Sequence, residues 1–405
     1  MRHLTPEKHP AFVLILLTLF AVVGPVSIDI FTPSLPAITA FFATTSAIAQ
    51  WSVGLFMLGF SLSMLIVGPL ADRLGRKKTL LMGYSLYLAA TAITLLTDSI
   101  YLFIAARFAQ AIFGCFGTAV ARMMARDYYR DQMEVKMLAY IGGCLTIAPM
   151  AAPIVGGYLQ EYADWQYSFY VMAAMAVIAI LALTLLPEHK QETTSATTSS
   201  QNSVLAGYKA VLTDARYLRF TIAAGAAFAG AFVFVAGGSF VVIGQLGISP
   251  ATYGYLFAVA IASYLLSASM GPKLTANMSR SQSTLVAGSL LMIGAMVSLV
   301  SGLLTDGQSI TGYVAGIAIY ELGLGLFMPL CQARATEHMK ENMGTAAGLI
   351  FFIEMLLATL ISALIGFLPE AGTLSLSAIT LIAVAISGFC LMKTSDVSEA
   401  TPQAA

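Results

Sequence analysis

Twelve apolar stretches of about twenty residues recur along this 405-residue chain, and nearly all charged residues lie between them. Each stretch is long enough to cross about 30 Å of hydrocarbon as a helix. The stretches are 12–38, 51–70, 79–97, 100–122, 136–159, 168–187, 219–244, 252–271, 283–304, 310–332, 344–367 and 374–392. Hydrophobic residues make up 58 % of the chain and charged residues 10 %, which is too little polar cover for a soluble protein. The sequence therefore predicts an all-α membrane protein with twelve transmembrane helices.

The Lys and Arg residues mark one side of the membrane. The six connectors at the other side contain neither residue, and they are 39–50, 98–99, 160–167, 245–251, 305–309 and 368–373. The chain has 20 Lys and Arg residues; Arg107 and Arg122 fall inside a span, and the other 18 lie at the side of the two chain termini. We call this side the basic face and the other side the opposite face. The positive-inside rule predicts that the basic face, with both termini, is cytoplasmic.

The longest connector, 188–215, divides the spans six and six. Its core from Thr193 to Ser203 contains only Ser, Thr, Gln and Asn with one Ala, a composition that cannot bury enough apolar surface to become ordered. We predict a cytoplasmic linker with a short amphipathic stretch at 188–215, a six-helix bundle at 1–187, and a second six-helix bundle with a short tail at 216–405.

A repeated Gly-Pro pair supports duplication of the two halves. Gly68 and Pro69 begin the connector after the second span, and Gly271 and Pro272 begin the connector after the eighth span. In both connectors a basic residue follows nine residues after the glycine. A pair at corresponding connectors of two six-span halves is typical of an internal repeat.

Four ionisable residues lie deep inside predicted spans: Asp29, Arg107, Glu321 and Glu354. Each charge at mid-bilayer costs about 2.5–3.5 kcal/mol on insertion scales, so we expect these groups to face a water-filled cavity or each other. Asp29 and Arg107 could form a buried ion pair, and Pro33 and Pro36 after Asp29 free backbone carbonyls beside the acid. Glu321 and Glu354 are either substrate contacts or protonated packing residues.

The connector after the second span carries the clearest motif, GPLADRLGRKK at 68–78. In it Gly68 is expected to allow close helix approach and Gly75 a tight reversal. Asp72 lies at a helix C-terminus, where a carboxylate is disfavoured, so it needs a partner. The candidates are Arg122, Arg126 and the N-terminus of the eleventh span near Gly344. The run resembles the signature loop of the major facilitator superfamily. The resemblance implies a conformational latch made of Gly68, Asp72, Arg73, Gly75, Arg76, Arg122 and Arg126.

Two further spans resemble elements of the same superfamily. Arg107 and Gln110 in the fourth span match an R-x-x-Q-G element in which Ala111 stands for the glycine, and the matching Arg is associated with proton coupling. The fifth span resembles the antiporter motif of drug exporters, with Ala152 in place of the first glycine. The matching residues are Pro149, Pro153, Gly156 and Gly157. The doubled Ala-Pro pattern is typical of the bicyclomycin and chloramphenicol resistance (Bcr/CflA) branch, which residues 25–170 resemble.

The resemblance implies a secondary transporter with two pseudo-symmetric six-helix bundles, not an enzyme, in the bacterial inner membrane. We expect proton-coupled export of small amphipathic compounds by alternating access, with Asp29 and Arg107 in proton coupling. Substrate contacts are expected at Glu321, Glu354, Tyr320 and Gln110. The expected partners are a small-molecule substrate, protons and the lipid bilayer, with no cofactor, metal or nucleic acid, and the protein is expected to be a monomer. A dedicated metabolite or siderophore transporter is the alternative, and a membrane sensor without transport is a third possibility.

Overall fold

The computed structural model describes residues 8–187, 201–339, 343–368 and 372–392. Over these residues, twelve helical spans are long and apolar enough to cross a membrane. Their number agrees with the sequence prediction. The predicted linker core at 188–200 and the chain ends lie outside the described residues. The spans are Pro10–Phe41, Ser46–Leu74, Arg76–Leu96, Ile100–Tyr128, Asp131–Tyr162, Gln166–Leu183, Ala215–Gln245, Pro250–Leu274, Arg280–Leu304, Ile310–Thr336, Met343–Gly366 and Thr373–Met392.

The helices number fifteen over the described residues, because two spans are interrupted and one helix lies outside the spans. In chain order they are α1 (Pro10–Asp29), α2 (Leu35–Phe41), α3 (Ser46–Leu74), α4 (Arg76–Leu96), α5 (Ile100–Gly114), α6 (Phe116–Tyr128), α7 (Asp131–Tyr162), α8 (Gln166–Leu183), α9 (Gln201–Thr213), α10 (Ala215–Ser239), α11 (Pro250–Leu274), α12 (Arg280–Leu304), α13 (Ile310–Thr336), α14 (Met343–Gly366) and α15 (Thr373–Met392). A 3₁₀ turn, Thr32–Ser34, joins α1 to α2, and a π-helical segment, Phe240–Gln245, continues α10.

Proline explains the irregularity of the first span. Pro25 has no N–H for the carbonyl of Ala21, and the Thr118 hydroxyl donates to this carbonyl instead at 2.9 Å. Pro33 likewise cannot donate to the carbonyl of Asp29, which accepts from the Thr32 hydroxyl at 2.8 Å. The α-helix therefore stops at Asp29, as the prolines after it led us to expect.

The chain folds into two compact units. The first contains Met1–Thr194, Ser239–Val259 and Ser362–Pro369, and the second contains Ser195–Gly238, Ala260–Ile361 and Glu370–Ala405. The first unit thus includes the beginning of α11, which packs on α7. The division of the spans at the 188–215 linker stays a prediction.

Glycines set the helix spacing inside the second unit. A Cβ at Gly294 of α12 would lie 2.4 Å from the backbone nitrogen of Tyr320 in α13, and a Cβ at Gly316 would lie 2.5 Å from the backbone nitrogen of Ser298. The two backbones can come this close only because both positions lack a side chain. The helix α9, in the stretch predicted to be amphipathic, buries Val211 and exposes Lys209.

Candidate functional site

The break in the first span is held by a buried arginine from the fourth span. The last helical hydrogen bond of α1 runs from the Ile30 N–H to the Val26 carbonyl, so the Ser27 carbonyl has no helical donor among the described residues. Arg107 on α5 donates from Nη2 to the Ser27 carbonyl at 2.9 Å. A cation at a helix C-terminus also complements the partial negative charge there. The proline-induced break therefore creates the acceptor that Arg107 uses.

Aromatic rings enclose the Arg107 guanidinium, which is 0 % exposed. Its Cζ lies 4.0 Å from the ring centroid of Phe31, 4.4 Å from that of Phe56 and 5.7 Å from that of Phe169. Cation–π attraction increases when water is excluded, so three rings offset part of the cost of burying the charge. The Nε of Arg107 is buried without a hydrogen-bond partner among the described residues.

A hydrogen-bond network ties this arginine to α4. Arg107 Nη1 donates to Gln110 Oε1 at 2.8 Å, and Gln110 Nε2 donates to the Thr91 hydroxyl at 2.7 Å. The Ser27 and Tyr87 hydroxyls lie 2.6 Å apart. The polar atoms of Gln110 therefore serve the protein's own network, whereas the sequence suggested a substrate contact.

Asp29 and Arg107 do not form the ion pair that the sequence allowed. Five ion pairs occur among the described residues, and none includes either group. The two terminal guanidinium nitrogens donate to Ser27 O and Gln110 Oε1 instead. Asp29 is buried beside the break, and its carboxyl has no hydrogen-bond or ionic partner among the described residues.

The fifth-span motif brings α7 against the same break. A Cβ at Gly156 would lie 1.8 Å from the carbonyl oxygen of Ile30. This carbonyl is also an acceptor for the Ser168 hydroxyl of α8 at 3.3 Å. Pro153 and Ala152 are buried beside Gly156. The motif's small residues therefore allow α7 to touch the non-helical backbone after Asp29.

The same helix also contacts α11 through small residues. A Cβ at Gly157 would lie 2.3 Å from the carbonyl oxygen of Pro250. Four residues later on α11, a Cβ at Gly254 would lie 2.5 Å from the carbonyl oxygen of Pro153. The two glycines make a reciprocal backbone contact within the first unit. The sequence pattern had identified Gly157 but not Gly254.

Polar groups extend this contact to the opposite face. The hydroxyls of Tyr158 and Tyr255 lie 3.0 Å apart, and the ring of Tyr158 stacks on that of Tyr162. Glu161 accepts from the backbone N–H of Ala251, in the first turn of α11, at 3.1 Å. A carboxylate is favoured at a helix N-terminus because it satisfies a free N–H and complements the dipole.

At the basic face, Asp72 forms an ion pair with Arg76 and with neither Arg122 nor Arg126, the two arginines that the sequence suggested. Asp72 Oδ1 lies 2.6 Å from Arg76 Nη1, and Asp127 Oδ2 lies 3.2 Å from Arg76 Nε. Arg126 instead lies 3.7 Å from Glu134. Asp72 lies in the last turn of α3 and Arg76 begins α4, so the reversal between these helices brings the two together.

The two glycines of this connector behave differently. Gly75 has φ +85°, a left-handed conformation that favours glycine, so the predicted tight reversal is found. Gly68 does not mediate a close helix approach, since a Cβ there would have only the Met123 Cε within 4 Å, at 3.9 Å. The exposed side chains of Arg73 and Arg122 carry no ion pair among the described residues.

In the second unit, Glu321 and Glu354 are buried, at 7 % and 3 % exposure. Gln332 Nε2 donates to Glu354 Oε1 at 2.9 Å. The Tyr320 hydroxyl donates to the Ala227 carbonyl at 2.7 Å, so its proton is used within the protein and not for a ligand. This bond requires Gly230 on α10, where a Cβ would lie 2.2 Å from the Tyr320 hydroxyl.

The second unit has its own charge cluster at the basic face. Glu337 accepts from Arg216 Nη2 at 2.9 Å and from Arg280 Nη1 at 2.7 Å. The hydrogen bond from Arg280 lowers the pKa of Glu337. Arg280 occupies the position in the repeated connector that corresponds to Lys77 in the first half.

Sequence reasoning missed the residues whose role depends on backbone geometry. These are Ser27, Thr91, Ser168, Glu161 and Gly254. Glu161 lies four residues after Gly157, the last residue of the fifth-span motif, and therefore on the same face of the helix. This spacing is the signal by which Glu161 could have been found from the sequence.

Known proteins agree with this architecture. An uncharacterized MFS-type transporter of Bacillus subtilis, YdgK, is 26 % identical over 95 % of this chain and 96 % of its own length. A bicyclomycin resistance protein homolog of Haemophilus influenzae is 24 % identical over 89 % of this chain and 90 % of its own. The structure of a D-xylose-proton symporter matches the fold with a TM-score of 0.72 at 13 % identity, over 93 % of this chain and 97 % of that chain. The family model described as Major Facilitator Superfamily matches residues 15–363, and the chain therefore belongs to this superfamily of secondary transporters.

Proposed function

We propose that the protein is a proton-coupled exporter of small amphipathic compounds in a bacterial inner membrane, with both termini cytoplasmic and with transport by alternating access. The observation that carries the proposal is the acid Asp29 at the break of the first span, beside a buried Arg107. Discontinuous spans with irregular backbone occur in transporters where they line a site. The likeness to a bicyclomycin resistance protein homolog favours export of a drug-like compound.

Asp29 is the proposed proton carrier. Its carboxyl has no partner recorded among the described residues, so it is available to exchange a proton with solvent or with substrate. One proton moving inward through 100 mV releases about 2.3 kcal/mol, which can raise the export gradient about fiftyfold. Arg107 is proposed to take part in coupling by holding the broken end of α1 rather than by pairing with Asp29.

The basic connector at 68–78 and the fifth-span motif are proposed to control the conformational change. Asp72 and Arg76 would shift the conformational equilibrium at the basic face. Gly156, Gly157 and their neighbours would shift it at the opposite face. Among the four proposed substrate contacts, Tyr320 and Gln110 use their polar groups within the protein, and Glu354 accepts a hydrogen bond from Gln332. Glu321 has no hydrogen-bond partner among the described residues and is the proposed contact that stays available.

Transport in proteoliposomes under an imposed pH gradient tests this function. The purified protein should accumulate a neutral probe, chloramphenicol, or another amphipathic compound against its gradient, and a protonophore should abolish the accumulation. Uptake that is indifferent to the pH gradient across a panel of amphipathic compounds would contradict it. Selective movement of one metabolite or siderophore would favour the alternative transporter function.

A further inference from the structure

Three exposed tyrosines form a cluster in the first unit, where α7 ends and α11 begins at the opposite face. The rings of Tyr158 and Tyr162 are nearly parallel, with 14° between their planes and 6.0 Å between their centroids. The Tyr255 ring centroid lies 6.2 Å from that of Tyr158, and the two planes are almost perpendicular, at 86°. The residues are 42 %, 76 % and 49 % exposed in chain order. The cluster therefore offers accessible aromatic surface in two nearly perpendicular planes.

The cluster is held in place by the protein itself. The hydroxyls of Tyr158 and Tyr255 lie 3.0 Å apart and join α7 to α11. One residue before Tyr158, a Cβ at Gly157 would lie 2.3 Å from the Pro250 carbonyl oxygen, so the two backbones touch. The orientation of the two rings is therefore set before a ligand arrives, which lowers the entropy cost of binding.

Glu161 adds a carboxylate beside the rings. It lies three residues after Tyr158 on α7 and therefore on the same side of the helix. Its Oε2 accepts from the Ala251 N–H at 3.1 Å, and no bond to its Oε1 is recorded among the described residues. Because the residue is exposed, this second oxygen can face a cation from solution.

The charge of the opposite face favours a cationic ligand. Its connectors contain no Lys or Arg, and their acidic residues are Asp98, Glu161, Asp164, Asp306 and Glu370. Acidic surfaces without basic residues raise the local concentration of cations. Aromatic faces attract cations through the ring quadrupole, and quaternary ammonium groups are bound by clusters of aromatic rings. The rings and the carboxylate therefore select the same sign of charge.

We propose that Tyr158, Tyr162, Tyr255 and Glu161 form a binding site for a water-soluble quaternary ammonium compound at the opposite face. The rings contact the methyl groups around the nitrogen, and Glu161 supplies the opposite charge. A phosphocholine lipid headgroup suits the site less well, because its phosphate is repelled by Glu161 and finds no Lys or Arg in the connectors of this face. The site contains neither Asp29 nor Arg107 and does not depend on proton coupling, so it goes beyond the proposed function.

Isothermal titration of the purified full-length protein in a maltoside detergent tests the site with three probes. Benzyltrimethylammonium should bind. Phenylmethanesulfonate, which carries the opposite charge on the same benzyl group, and phosphocholine, the headgroup alone, should bind more weakly. Absence of benzyltrimethylammonium binding in the millimolar range would overturn the proposal, and so would equal affinity for the anion. Equal affinity for phosphocholine would overturn the assignment to a soluble compound.

Substitutions then locate the bound cation. Tyr162→Ala and Glu161→Gln should each weaken benzyltrimethylammonium binding about two- to fivefold, the loss expected for one exposed ring or one exposed charge. Tyr162→Phe keeps the ring face and should bind like the wild type. Tyr101→Ala removes a tyrosine that is 71 % exposed at the same face and is the matched control, with wild-type affinity expected.

Wild-type affinity in both Tyr162→Ala and Glu161→Gln would overturn the site. An Asp29→Asn variant that loses the cation, while Tyr162→Ala retains it, would assign the cation to the proposed transport site and overturn this one alone. Binding needs no pH gradient, so a failure of gradient-driven transport would contradict the proposed function and leave the titration result intact.

Discussion

The glycines of α7 differ in what surrounds them, although their side chains are identical. Gly156 faces the Ile30 carbonyl so closely that a Cβ would lie 1.8 Å from it, whereas Gly143 has no atom within 4 Å of that position. The motif glycine is therefore required by contact with the broken first span. Gly143 is a matched position on the same helix where an added methyl group has open space.

We expect Gly156→Ala to destabilise the protein by about 1–3 kcal/mol, because α7 must move away from the break. Gly143→Ala should be neutral or slightly stabilising, since Ala is favoured over Gly inside a helix. Thermal unfolding of both variants in the same detergent measures the difference. Equal midpoints for the two variants would show that the close contact with Ile30 has no role in stability.

Polar contacts join pairs of helices near both membrane faces. At the opposite face, Tyr158 and Tyr255 join α7 to α11 through their hydroxyls at 3.0 Å. At the basic face, Arg76 joins Asp72 and Asp127. These contacts lie near the ends of the elements, where their removal can be tested by substitution.

The tyrosine contact predicts a coupled pair. Tyr158→Phe and Tyr255→Phe should each cost up to about 1 kcal/mol, and the double variant should cost little more than either one, because both remove the same hydrogen bond. Tyr167→Phe, at an exposed tyrosine of α8, serves as the control. A double-mutant cycle of unfolding free energies measures the coupling, and strictly additive losses would rule the contact out.

The basic connector predicts an unequal effect of its two charged residues. Asp72 is 65 % exposed in its side chain, so Asp72→Asn should cost well under 1 kcal/mol. Arg76→Gln should cost more, because it leaves both Asp72 and Asp127 without their partner. Melting temperatures, together with labelling rates of a Leu74→Cys reporter, check this order. An Asp72→Asn effect that exceeds that of Arg76→Gln would favour a different partner for Asp72.

Glu337 predicts a small pH dependence in the second unit. Because Arg280 lowers the pKa of Glu337 in the folded protein, the contribution to stability is present above the acid's unfolded pKa of about 4.3 and is lost as pH falls through the lowered folded pKa. The effect should be modest, since the pair is exposed. The melting difference between wild type and Glu337→Gln should therefore be largest near neutral pH and disappear in acid. A difference that grows toward acid pH would have the wrong sign.

For the whole molecule, the number of spans, the break after Asp29 and the reversal at Gly75 were predictable from sequence. Each follows from a local signal, namely an apolar stretch, a proline or a glycine. The partner of Arg107 was not predictable, because its charge suggests an ionic partner while the helix break supplies a backbone carbonyl. The partner of Asp72 was not predictable, because the reversal between α3 and α4 brings it to Arg76. The sequence does not show that the Ser27 carbonyl lacks a helical donor, because this depends on where α1 ends.

We propose that proton movement through Asp29 drives transport, and the Asp29→Asn variant separates driven transport from exchange. Two rates should be measured in the same proteoliposomes, namely accumulation driven by a pH gradient and exchange of labelled for unlabelled substrate at equal pH. We predict that Asp29→Asn abolishes accumulation and retains exchange, because the variant can still change conformation but cannot carry the proton. Accumulation at the wild-type level in Asp29→Asn would contradict the account and move the coupling role to Glu321 or Glu354.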